Sequence, residues 1–198
     1  MKISPVRPIV VTLFVSFVSV TSVLADVPAG WIIAGSAAKD YEFARDGTTA
    51  ASGKFSASIT AKSDASANGF GTLMQMIDAD NYRGARWKLS GYLKTSDATR
   101  AQMWMRVDGP DRKIVSFDNM DSRPVTGTTG WTRYEIVLDV PSDSVDIAFG
   151  FFLAQAGTVW GDNFKLEKVE STVPVTSPTP TSVPPSRPKE PANADFEN

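Results

Sequence analysis

Apolar and polar residues alternate with a period of two along most of this chain. Over 54–60, Phe55, Ala57 and Ile59 fall on one side. Over 86–95, Trp87, Leu89, Gly91 and Leu93 face one way, and Arg86, Lys88, Ser90, Tyr92 and Lys94 the other. Over 101–107, Met103, Met105 and Val107 oppose Gln102, Trp104 and Arg106. The runs 132–140 and 145–153 repeat the pattern with Tyr134, Ile136, Leu138 and Val140, and with Val145, Ile147, Phe149, Phe151 and Leu153. Segments 71–77, 113–119 and 158–169 complete the set, and no long stretch carries a helical period. Turn residues punctuate the runs: Asp46-Gly47, Asp108-Gly109-Pro110, Gly127-Thr128-Thr129-Gly130 and Pro141-Ser142-Asp143. About eight to ten short strands at this spacing predict an all-β, antiparallel β-sandwich or barrel, with one face of each sheet solvated. A jelly roll is the specific expectation.

The two ends read differently. Lys2 and Arg7 precede an apolar stretch over 9–24 that closes on Val23-Leu24-Ala25. This is the pattern of a secretory signal cut after Ala25. The expected address is therefore exported, periplasmic or extracellular, with no membrane span once the leader is cut. At the other end, residues 171–198 hold seven of the 13 prolines. Proline removes backbone donors and fixes φ, so 171–191 reads as an extended Pro/Ser/Thr linker. The folded body is then 26–170.

Composition narrows the chemistry. The chain has neither cysteine nor histidine. Thiol catalysis, Ser-His-Asp triads and Cys- or His-based metal sites are excluded. The net charge of −2, without a basic run in the body, argues against a nucleic-acid partner. Nothing marks a pair of carboxylates for glycoside hydrolysis, and no phosphate loop or nucleophile elbow is present. The expectation is a binding protein that is not an enzyme.

A series of motifs supports this. It runs through Gly30-Trp31, Asp40-Tyr41-Glu42, Ser52-Gly53-Lys54, Gly69-Phe70-Gly71-Thr72-Leu73-Met74-Gln75 and Leu89-Ser90-Gly91-Tyr92-Leu93-Lys94-Thr95. It continues with Met103-Trp104-Met105-Arg106-Val107-Asp108-Gly109, Phe117-Asp118-Asn119-Met120, Gly127-Thr128-Thr129-Gly130-Trp131 and Gly157-Thr158-Val159-Trp160. The series resembles a bacterial family of galactose-binding-like, carbohydrate-binding-module-like jelly-roll domains, often appended to transcriptional regulators or enzymes. Related domains open with an Asn-x-x-Phe-Glu strand. Here the matching residues, Asn193-Ala194-Asp195-Phe196-Glu197, stand at the carboxyl end. Residues 192–198 are accordingly read either as a docked terminal strand, within one chain or swapped in a homodimer, or as a disordered tail.

Sugar recognition needs aromatic faces and planar polar groups. The outward positions offer Trp104, Arg106, Tyr92, Gln75, Asp118 and Asn119 as the ligand-binding set. Resemblance further implies a structural calcium, with Asp162 as one ligand and Glu197 as a second if the tail docks; Asp46 is a further acidic candidate. Two partner readings stay open. One is a glycan on the sheet face. The other is a protein that meets that face or the Pro-rich tail.

Overall fold

The computed structural model describes residues 27–176, the backbone of 181–182, and residues 193–195 and 197. The leader read at 1–25 and most of the linker lie outside the described residues. Within them are ten strands: β1 (Ile32–Ala34), β2 (Tyr41–Asp46), β3 (Ser56–Ala61), β4 (Phe70–Asp78), β5 (Ala85–Asp108), β6 (Lys113–Asp118), β7 (Val125–Val140), β8 (Asp146–Ala154), β9 (Thr158–Val169) and β10 (Thr181–Ser182). Every strand pairing is antiparallel. The chain forms an antiparallel jelly-roll β-sandwich.

The layers are joined by one strand. The runs predicted at 86–95 and 101–107 are a single β5 of 24 residues. Its first half lies between β7 and β9, its second half between β8 and β6. One layer is therefore β7, β5, β9, β3 and β2. The other is β1, β4, β8, β5 and β6, with β10 on the edge of β6. The polar link 96–100 does not turn back. It absorbs the change of layer through three register shifts against β7, with Asp97 at φ 50°.

Two other readings are corrected. Gly127-Thr128-Thr129-Gly130 is not a free turn but part of β7, which begins at Val125. The φ of 70° at Gly127 takes up one of the shifts. The strands β1 and β2 were not predicted. Three residues are too few to show a period, and Tyr41 and Phe43 alternate with Glu42 and Ala44 over only six. β10 does fall inside the Pro-rich stretch, but on two proline-free residues at a sheet edge, where pairing is tolerated.

Between the layers sit the inward rows. Leu73, Phe151 and Met103 align across β4, β8 and β5, as do Ile77, Ile147 and Val107. From the opposite layer come Leu89, Leu93, Ile59, Ile136 and Val159, all fully buried. Trp31 closes one side, edge-on to Phe149, Phe151 and Phe164 at 6.2, 6.3 and 5.4 Å. Phe151 stacks on Phe164 at 5.6 Å and lies over Gly161, where a Cβ would come within 2.6 Å of its ring. Phe151 thus bridges both layers. The Phe151→Ala variant should lose about 3–5 kcal/mol of stability, read as a lower urea midpoint with unchanged slope.

Candidate functional site

The outer face of the β4–β8–β5–β6 layer carries a second set of rows. Strand register places Ile32, Met74, Gly150 and Trp104 in one row, and Ala34, Thr72, Phe152 and Gln102 in the next. Beyond them lie Phe70, Ala154 and Arg100 on one side, and Met76, Ala148, Arg106 and Phe117 on the other. Met74, Met76 and Ala148 form a small apolar cluster, with Trp104 packed against it.

Trp104 reaches across β8. Its indole N–H donates to Thr72 Oγ1 on β4 at 3.0 Å. The residue beneath, Gly150, is where any side chain would fail: a Cβ there would lie 2.1 Å from the carbonyl oxygen of Leu73. Glycine at 150 thus lets the backbones of β8 and β4 approach closely. Phe70 and Phe152 pair beside Trp104 at 5.4 Å between centroids.

Trp104, Phe70 and Phe152 line a groove of about 510 Å³, together with Ala67–Gly69, Asn119 and Asp121. That volume suits a small-molecule or oligomer ligand. Its polar groups are held in place. Arg100 donates through Nε to Gln102 Oε1 at 2.6 Å and pairs with Asp121 through Nη2. Gln102 donates to the carbonyl of Asn119 at 2.6 Å. Arg106 donates through Nε and Nη2 to the buried Asp108 at 3.1 and 2.9 Å. Fixed planar donors beside aromatic faces are what recognition of hydroxyl-bearing rings requires.

Of the six residues expected in this site, Trp104, Arg106 and Asn119 line the groove. Three do not. Gln75 is 2% exposed and stands in the inward row with Phe149 and Met105. Asp118 is 3% exposed, faces inward beside Met105, and accepts from the Met120 amide at 2.7 Å and Arg123 Nη2 at 2.6 Å. It holds the β6–β7 loop. Tyr92 lies in the first half of β5, paired with Arg133 and Asp162, in the other layer. Phe70, Phe117, Phe152 and Arg100 line the groove without having been expected there. Alternation in 145–153 already pointed Phe152 outward.

The acidic candidates lie elsewhere, around the β2–β3 loop. Asp162 is fully buried; its Oδ2 accepts from the amides of Ala51 and Ser52 at 2.6 and 2.9 Å. Its Oδ1 is buried without a well-formed hydrogen bond. Burial raises its pKa, the amides of Ser52 and Ala51 oppose this, and the charge of Glu197 adds to the rise. Glu197 Oε1 accepts from the amides of Lys54 and Phe55 at 2.5 and 2.8 Å. The Phe55 bond leads in holding its pKa low. Asp46 does not join them. Its Oδ1 is taken by Thr48, and its Oδ2 accepts from the Trp160 indole at 2.8 Å. Burial works against its charge, but the Thr48 and Trp160 bonds prevail and its pKa is lowered. Among the described residues no group of three or more acids converges on one point. A hard cation here has two carboxylates, Asp162 and Glu197, and needs further oxygens from loop carbonyls and water.

No family model matches the chain. The uncharacterized HTH-type transcriptional regulator YbfP of Bacillus subtilis (strain 168) is 39% identical over 169 residues, which cover 85% of this chain. The chain spans 56% of the length of that curated relative. Among solved structures, the CBM22-1 xylan-binding domain of Paenibacillus barcinonensis Xyn10C superposes with a TM-score of 0.53 at 13% identity, covering 74% of this chain and 90% of that one. The enzymatically active domain of bacteriophage CBA120 tailspike protein 4 superposes at 0.55 with 14% identity, covering 71% and 20%. The chain has the β-sandwich fold of carbohydrate-binding modules.

If Asp118 is structural, removing its partner must cost stability. Arg123→Ala should lower stability by about 1–3 kcal/mol, read in thermal denaturation. Arg123 lies outside the groove, so any ligand bound there should keep its affinity.

Proposed function

We propose that this chain is an exported, non-catalytic binding module whose groove takes a carbohydrate. The observation that carries the reading is the placement of Trp104 across β8. It is flanked by Phe70 and Phe152, with Arg106 and Asn119 beside it. Ring faces of a sugar stack on the aromatics, and its hydroxyls bond the guanidinium and amide groups. The likeness of fold to a xylan-binding domain supports this reading. The only acid lining the groove among the described residues is Asp121, which is paired with Arg100. Two-carboxylate hydrolysis has no second partner there. Export is proposed from the leader pattern at 1–25, and membership of the galactose-binding-like family from the motif series. The relative named as an HTH-type regulator favours a second use of the same groove, as the effector-sensing part of a longer protein.

Binding to a glycan array tests this directly. A hit should weaken in Trp104→Ala by roughly 30-fold, since truncating a central aromatic anchor costs about 2 kcal/mol or more. A blank array with the folded chain contradicts the sugar reading and shifts the case to a protein partner on this face or the Pro-rich tail.

We also propose a structural calcium between Asp162 and Glu197. The support is the buried Oδ1 of Asp162 next to a second carboxylate. Such a cation supplies positive charge that two adjacent carboxylates lack. Millimolar calcium should raise the Tm of the native chain and leave that of Asp162→Asn unchanged. An equal response in both contradicts this assignment.

A further inference from the structure

Residues 193–195 and 197 sit in a slot made by Trp31, β9 and the β2–β3 loop. The Trp31 indole donates to the carbonyl of Asn193 at 3.1 Å. The Phe164 amide donates to the carbonyl of Ala194 at 2.9 Å, and the Ala194 side chain packs on the core. Glu197 is held at both ends: its carboxylate by the Lys54 and Phe55 amides, its carbonyl by Arg45 at 2.7 Å. Gly53, at φ +64°, makes room for that carboxylate. A Cβ there would lie 2.4 Å from Oε1. The described part of the segment is a turn, not a ladder strand.

The slot thus reads defined chemistry. It bonds main-chain carbonyls at the first, second and fifth positions. It admits a small side chain at the second and takes a carboxylate at the fifth. Every group doing this belongs to the body. Before the segment the backbone of Thr181–Ser182 pairs with β6, on the edge of the other layer, and residues 183–192 stand between. The segment is therefore attached as a tethered ligand, not as the continuation of a neighbouring strand.

We propose that this slot is a peptide-recognition site whose ligand is the chain's own Asn-Ala-Asp-Phe-Glu segment, held by these contacts and not by its covalent connection. The site is separate from the groove and stands whether or not a sugar binds there. A tethered ligand at high effective concentration docks in its own chain first.

The test uses a chain ending at residue 191 and a synthetic peptide of residues 191–198. Shortening should lower the Tm by several degrees. The added peptide should bind saturably in calorimetry and restore the Tm. A peptide carrying Glu197→Ala should bind at least tenfold more weakly. No binding, or an unchanged Tm on shortening, overturns the proposal. Should the shortened chain fail to fold, hydrogen exchange on the full chain decides. Protection of the Lys54 and Phe55 amides that Glu197→Ala removes supports the slot. Exchange at free-peptide rates in the full chain overturns it.

Discussion

The register of β5 is the constraint on which the rest depends. This one strand pairs with β7 and β9 along its first half and with β8 and β6 along its second. Side chains on a strand alternate strictly, so a single register assigns every residue of its second half to core or groove. Met103, Met105 and Val107 go inward and are fully buried. Gln102, Trp104 and Arg106 go outward and build the groove. A slip of one residue would bury a guanidinium and expose the core. The cost of that exchange locks the site as firmly as the fold.

The outer face is organised around the same logic. Gly150 lets β8 and β4 approach closely, and the Trp104 indole on β5 finds Thr72 two strands away. Arg106 is neutralised by Asp108 on its own strand, and Arg100 by Asp121 from the β6–β7 loop. Charged groups therefore stand at the groove already oriented. A ligand need not pay to order them, which is the chief advantage of a preformed site.

The sequence made the sandwich, most strands and the outward set of Trp104 and Arg106 legible, because one-sided alternation is a strong signal. It failed where alternation carries no contrast. In β4, Leu73, Met74, Met76 and Ile77 are all buried, so both faces are apolar and the side taken by Gln75 could not be read. In β6 the usual sense is reversed: Phe117 faces the groove and Asp118 the core, with Arg123 from the following loop compensating the acid. Tyr92 shares parity with Trp104, but β5 changes layer between them, so their outward faces lie on opposite sides of the sandwich. Asp46 is an acidic candidate by type, but among the described residues it does not converge with two other acids; Thr48 and the distant Trp160 hold its carboxylate instead, and the Trp160 contact spans 114 residues that spacing alone does not bring together.

The central claim is that ligand binds along the second half of β5. Two-dimensional ¹⁵N NMR during titration with soluble oligosaccharides tests it most directly. The account predicts shift changes at the Trp104 indole, at Arg106 Nε and at the Asn119 side chain, with Tyr92 and the Trp131 indole unmoved. Saturable changes confined to Tyr92 and the first half of β5 would contradict it.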